Sequence, residues 1–131
     1  MKKMTRKVLY VLLTVSVLLG FVLSIPAPVN AADPDQMDVH FMDVGQGDAT
    51  LVTCGGHAML IDTGDDTKGT AIQNYLQKQK ITRLDYLILT HPDADHIGGA
   101  PVIITKFDIG KVFVSNFEKD NKTYQKLIQS L

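Results

Sequence analysis

Along the chain, apolar residues first form one continuous run and then break into short alternating and helical patterns. From Val8 to Ile25 the sequence is apolar apart from Thr14, Ser16, Gly20 and Ser24. Pro26, Pro28 and a polar stretch at 32–36 follow, and the pattern then becomes that of a folded domain. Positions 37–43 alternate, with Met37, Val39 and Phe41 on one side and Asp38, His40 and Met42 on the other, which predicts a strand. Gly45-Gln46-Gly47-Asp48 marks a turn, and 49–54 is a second strand rich in β-branched residues. Gly55-Gly56 then predicts a hairpin into a third strand at 57–62. Ile72, Tyr75 and Leu76 have helical spacing, which places a helix over 68–80. The unbroken apolar run within 85–90 predicts a fully buried strand. A short helix is expected at 100–107, with Pro101 in its first turn. A strand at 111–115 and an amphipathic helix at 120–130, carrying Tyr124, Leu127 and Ile128, complete the pattern. Strands in a meander followed by alternating helices and strands imply an α/β (α+β) class, with one mixed sheet covered by helices.

Charge alters the picture at the amino end. The chain has 131 residues, 45% hydrophobic, with a formal net charge of −1, one cysteine and no tryptophan. That excludes a disulfide scaffold, a collagen-like chain and a fully disordered one. Lys2, Lys3, Arg6 and Lys7 give residues 1–31 a charge of +4, whereas the 9 basic and 14 acidic residues after them give −5. A basic start, an apolar run, helix-breaking prolines and Val29-Asn30-Ala31 follow one another in the layout of a secretory signal peptide cut after Ala31. The competing reading is an uncleaved membrane anchor, and in either case the four cations stay inside while the remainder is exported. The expected organisation is a signal peptide at 1–31, a linker at 32–36 and a domain at 37–131, secreted and without stable membrane association after cleavage. Lone Cys54 agrees with an oxidising compartment, because it has no partner within the chain.

The chemistry is concentrated in His91-Pro92-Asp93-Ala94-Asp95-His96, directly after the apolar strand and before Ile97-Gly98-Gly99. Four metal-ligand residue types fall within six positions. Pro92 holds His91 extended, and residues two apart in an extended stretch face one side, so His91 and Asp93 can grip one cation together. Asp95 and His96 are adjacent and project differently, which suits a second cation or the far side of the first. Each residue also has a plainer reading: Asp93 as a turn cap, Asp95 as the cap of the 100–107 helix, a lone histidine as structural. Four together in this context favour the metal reading.

The loop resembles the signature of the metallo-β-lactamase fold: histidine, any residue, histidine or aspartate, any residue, then aspartate-histidine. With aspartate in the second ligand position, and with Phe41-Met-Asp-Val-Gly-Gln-Gly-Asp48 and Leu60-Ile-Asp-Thr-Gly64, it is similar to the ComEC branch, the exported hydrolase domain of DNA-uptake proteins and its secreted relatives. The resemblance covers Met37 to about Ser115 and implies an αββα sandwich, of which the amino-terminal half is present. It implies His91 and Asp93 as ligands of a first metal, Asp95 and His96 as ligands of a second, and Asp95 as the catalytic residue that orients the attacking water. It implies that Asp62 supports the loop through hydrogen bonds without binding metal; the other reading of Asp62 is a turn-capping aspartate. For the loop 43–48 two readings stand, a wall of the site and a tight turn between strands. His40 and His57 lack ligand spacing, and Cys54 reads as a strand residue.

Two divalent ions, zinc or manganese, are the implied cofactors. Such a pair polarises a phosphoryl or carbonyl oxygen and lowers the pKa of a shared water, and a carboxylate in place of one imidazole shifts preference towards manganese. The expected function is a secreted phosphodiesterase or nuclease with a phosphodiester such as DNA as substrate, although a charge of −5 on the exported part opposes generic nucleic-acid affinity. The alternatives are hydrolysis of a cell-wall phosphoester, β-lactam or lactone, and a non-catalytic remnant that binds metal or a partner. The fold normally supplies a further histidine, a bridging aspartate and a final histidine downstream, whereas His96 is the last histidine here. The chain therefore reads as the amino-terminal part of a longer protein, with an apolar sheet face and a sheet edge left uncovered.

Overall fold

Gly55 and Gly56, at φ of +55° and +84°, form the two-residue turn that joins strand β2 (Thr50–Cys54) to β3 (His57–Ile61). Both positions need the left-handed region, which glycine enters without steric cost. The computed structural model describes residues 36–131. The expected leader at 1–31, its cut after Ala31 and the linker apart from Gln36 lie outside the described residues. Within them, β1 (Met37–Phe41) pairs antiparallel with β2, from Met37 opposite Cys54 to Phe41 opposite Thr50. Helix α1 (Gly69–Lys78) then carries the chain to β4 (Arg83–Leu89), which lies parallel to β3. A helical turn α2 (Ala94–Ile97) and helix α3 (Ala100–Lys106) lead to β5 (Asp108–Val114), parallel to β4, and α4 (Lys122–Ser130) closes the described chain. The sheet has five strands in sequence order, two antiparallel pairings followed by two parallel ones. The mixed sheet expected from the strand and helix order is therefore present.

The core lies on one face of this sheet. Leu51, Leu60 and Leu87 stand side by side across three strands and are completely buried. Ile72 and Leu76 of α1, Ile103 of α3 and Leu127 of α4 belong to the same apolar cluster. The other face carries Val39, Val52, Met59 and Tyr86 in one row, and Phe41, Thr50, Ile61, Ile88 and Phe113 in the next. Its aromatic rings are open to solvent, Phe41 at 83% and Phe113 at 51%, while Val52, Met59, Ile61 and Ile88 are half-buried. This corrects one expectation. Strand β4 is not buried on both faces: Leu84, Leu87 and Leu89 point into the core, while Tyr86 is 43% exposed. The unbroken apolar run reflects a second apolar face that the described residues leave bare.

Most element boundaries move by a residue or two, and some moves have a clear physical cause. The predicted helix 68–80 is shorter, because Lys80 turns left-handed at φ +61°. The predicted helix 120–130 begins at Lys122, because Asn121 caps it by accepting from the Tyr124 N–H at 2.8 Å. β5 starts at Asp108 rather than 111, where Asp108 pairs opposite Arg83 and takes its guanidinium. Within the 91–96 stretch and just beyond it, Ala94–Ile97 forms a helical turn that the sequence pattern does not predict. Asp95 does not cap α3, whose N-cap residue is Gly99. His40 and His57 both serve the fold, His40 Nδ1 lying 2.9 Å from the Tyr75 hydroxyl on α1 and His57 Nδ1 3.0 Å from Asp85 Oδ2 on β4. Among the described residues no helix is long and apolar enough to cross a membrane.

Candidate metal centre

β3 and β4 run parallel, so their carboxyl ends meet at one edge of the sheet, the edge where ligands gather in α/β folds. Asp62 follows β3 there, and Thr90 and His91 follow β4. Asp62 is buried, 3% exposed, and adopts φ +56°, a left-handed conformation that aspartate tolerates better than most residues. Its Oδ1 accepts the Thr90 backbone N–H at 2.9 Å. Its Oδ2 accepts the Thr90 hydroxyl at 2.7 Å and faces His96 Nδ1 at 2.9 Å. An ionised carboxylate only accepts hydrogen bonds, so Nδ1 of His96 carries the proton and Nε2 keeps its lone pair. The same logic extends one bond further. The Thr90 hydroxyl spends its single proton on Asp62, so it accepts from His91 Nδ1, 2.9 Å away, and leaves Nε2 of His91 free as well. One buried carboxylate thus sets the tautomer of both histidines.

The two imidazoles lie with ring centroids 3.8 Å apart, and Asp62, His91 and His96 each offer a ligand atom within 4.8 Å of the others. The backbone fixes this arrangement. Thr63 donates to the His96 carbonyl through its N–H at 2.7 Å and its hydroxyl at 3.0 Å, and Gly98 N–H donates to the Gly64 carbonyl at 2.9 Å. The segment after β3 is therefore stitched to α2, which carries Asp95 and His96.

Asp93 precedes α2 in extended conformation, φ −76° and ψ 143°. Its Oδ2 lies 3.9 Å from His91 Nε2, so the expected side-by-side placement of His91 and Asp93 is met. Its Oδ1 accepts from the ammonium of Lys119. That hydrogen bond, reinforced by the Lys119 charge, holds the carboxyl below the ordinary aspartate range. Asp95 is turned towards the loop after β1, where Gln46 donates to its Oδ2 at 3.2 Å.

That loop joins β1 to β2 and also packs against α2, so both readings of 43–48 still stand. Gly47, at φ +95°, lies so close that a Cβ there would meet the Asp95 carbonyl oxygen at 1.8 Å. Asp48 Oδ2 stands 3.8 Å from His96 Nδ1, and its backbone carbonyl accepts from Gly64 N–H at 2.9 Å. Sequence reasoning named His91, Asp93, Asp95, His96 and Asp62; the structure clusters Asp62, His91 and His96, sets Asp93 3.9 Å from His91 Nε2, and turns Asp95 away to Gln46. It missed Thr90, Gln46, Asp48 and Lys119. Adjacency to His91 was the available signal for Thr90, and the glycine-flanked turn was the signal for Gln46 and Asp48; Lys119 had none.

The donor set suits a divalent cation: two imidazole nitrogens with protons fixed on the far side of each ring, and aspartate oxygens at the rim. The chain is 42% identical over 74 residues to Recombination protein 2 of Haemophilus influenzae, covering 53% of this chain and 9% of that protein. It is 37% identical over 86 residues to Competence protein ComA of Neisseria gonorrhoeae, covering 65% and 12%. A protein of Cupriavidus necator named as a metal-dependent hydrolase is 28% identical over 76 residues, covering 58% and 26%. The chain thus spans about a tenth of the length of the first two relatives. The sequence profile of the Metallo-beta-lactamase superfamily matches residues 42–120, from just after β1 to just before the cap of α4 and across every residue of the cluster, and the chain belongs to that superfamily.

Proposed function

We propose that the protein is an exported, metal-dependent hydrolase that cleaves phosphodiesters, with DNA as the natural substrate class. His91, Asp93, Asp95 and His96 hold two divalent cations, manganese or zinc, and Asp62 orients the two histidines without binding metal. The observation that carries this reading is the pair of free Nε2 atoms prepared by the hydrogen bonds running from Asp62 through Thr90. Divalent cations bound there supply Lewis acidity towards a phosphoryl oxygen and lower the pKa of water. Asp62 keeps its own oxygens on protein donors, so its charge steadies the imidazoles. Gln46 fixes the carboxylate of Asp95, the residue assigned to hold the water. The relatives are in keeping with this reading: one is a recombination protein, one a competence protein and one a metal-dependent hydrolase.

The test uses the full-length protein, purified without chelator. It is expected to carry bound metal, to cleave bis(p-nitrophenyl) phosphate and single-stranded DNA with Mn2+ or Zn2+, and to stop when EDTA removes the ion. Asp95→Ala is expected to lower turnover by about a hundredfold, since loss of a ligand costs no less than loss of a supporting contact. Exported protein is expected to begin at Ala32 on amino-terminal sequencing. Hydrolysis of a β-lactam or lactone with no action on phosphodiesters would move the assignment to that alternative, and absence of any bound ion would end the metal reading.

A further inference from the structure

Lys119 belongs to the loop between β5 and α4, 26 residues beyond Asp93, and its ammonium donates to Asp93 Oδ1. Both side chains are 45% exposed. An exposed pair of this kind contributes little to stability, so the fold does not account for it. What the contact does is set a fixed positive charge one hydrogen bond from a carboxylate whose other oxygen faces His91 Nε2 at 3.9 Å. A divalent cation held by His91 and Asp93 meets that charge at close range, and like charges at such separations repel unless an anion lies between them. Lysine suits an exchange of partners, because its charge sits on a flexible four-carbon stem and can leave one oxygen for another nearby. Lys119 also borders an open groove of about 710 Å³, lined by Glu118, Asp120, Tyr124 and Gln125 among others, in which it is the one cationic lining residue.

We infer that Lys119 is an anion-binding residue of the proposed site: it neutralises Asp93 in the free protein and transfers its hydrogen bond to a non-bridging oxygen of a phosphate ester when substrate arrives. The inference rests on the metal-dependent phosphodiesterase reading and adds to it the group that recognises the phosphate. No bond is made or broken in the exchange. The cation stays on the nitrogen, and one hydrogen-bond acceptor replaces another.

The experiment titrates the full-length protein calorimetrically, first with Mn2+ and then, once loaded, with inorganic phosphate. Lys119→Met is expected to bind Mn2+ about two- to fivefold more tightly, the range of an exposed charge pair. It is expected to bind phosphate roughly tenfold or more weakly, as befits loss of a charged hydrogen bond. Lys119→Arg is expected to retain most of the phosphate affinity, and Lys78→Met, at the far end of α1, to change neither. Unchanged phosphate affinity in Lys119→Met, or Mn2+ affinity that falls, overturns the inference and leaves the metal site standing. Wild-type protein that binds neither Mn2+ nor Zn2+ overturns the underlying reading together with it.

Discussion

Asp62 spends both carboxylate oxygens on protein donors, three in all, and thereby decides which nitrogen each histidine presents. Replacement by alanine strands the Thr90 N–H and hydroxyl and frees both imidazoles to change tautomer. Asp62→Ala is therefore expected to weaken Mn2+ or Zn2+ binding by about ten- to a hundredfold, the range for lost contacts behind a metal ligand, measured by competition with a chromophoric chelator. Thr90 provides a finer test of the same chain. Thr90→Val keeps the shape and removes the hydroxyl, so it should weaken binding by about tenfold, and Thr90→Ser should restore it. Equal affinities for the valine and serine variants would mean that the hydroxyl does not govern His91. Gly47 contributes by having no side chain. A Cβ would lie 1.8 Å from the Asp95 carbonyl oxygen at φ +95°, so Gly47→Ala is expected to cost about 1–3 kcal/mol in urea unfolding and to loosen Gln46 from Asp95. Four of the five named residues were legible in the sequence because they lie within six positions, and Asp62 through the family resemblance. Gln46, 49 residues from the Asp95 it touches, and Lys119 were not, because tertiary approach alone brings them there.

Local pattern fixed the type of every larger element, and its errors have local causes. Alternation, the Gly55-Gly56 turn and helical spacing located five strands and three helices; the fourth, α2, is a single turn of four residues, too short for any period to show. Boundaries moved where a cap or pairing overrode the pattern, as when Asn121 delayed α4 and pairing with β4 drew β5 back to Asp108. Contacts between elements were less visible, and Asp85 is the example. It sits on β4, half-buried, and its Oδ2 accepts the Ala58 N–H at 3.1 Å and faces His57 Nδ1 at 3.0 Å, tying β4 to β3. The Ala58 N–H, then the His57 ring and the His57 and Arg83 charges, hold its carboxyl below the ordinary value of 3.8. A carboxyl depressed in the folded state contributes stability in full above its unfolded value and loses it as pH falls through the folded one. Asp85→Asn is therefore expected to lower the urea midpoint at about pH 7, with the gap from wild type closing as pH falls below about 4 towards 2. A gap that stayed constant across that window would show that the carboxylate charge does not contribute.

At the scale of the whole described domain, the helices all serve one face of the sheet, and this asymmetry is the main physical problem the molecule poses. Alternation along β1 places Met37, Val39 and Phe41 together, and pairing continues that side through Val52, Met59, Ile61, Tyr86, Ile88 and Phe113. The uncovered apolar face expected from the sequence is thus present in the described residues. β1 and β5 also form the two edges of the sheet, with Met37, Val39 and Phe41 on the one and Phe113 on the other open to water. Contiguous exposed apolar area of this extent promotes association, while the metal cluster occupies the carboxyl edge beyond β3 and β4 and draws on none of these side chains. The two properties should therefore separate on mutation. Phe41→Glu combined with Phe113→Lys is expected to reduce binding of the dye ANS and to shift the 131-residue chain towards monomer in sedimentation velocity. Stability should change by no more than about 0.5 kcal/mol for each exposed site, and Mn2+ affinity should match wild type. Loss of metal binding in the double variant would mean that the bare face braces the site through the sheet; an unchanged dye signal would mean that these rings are already shielded in solution.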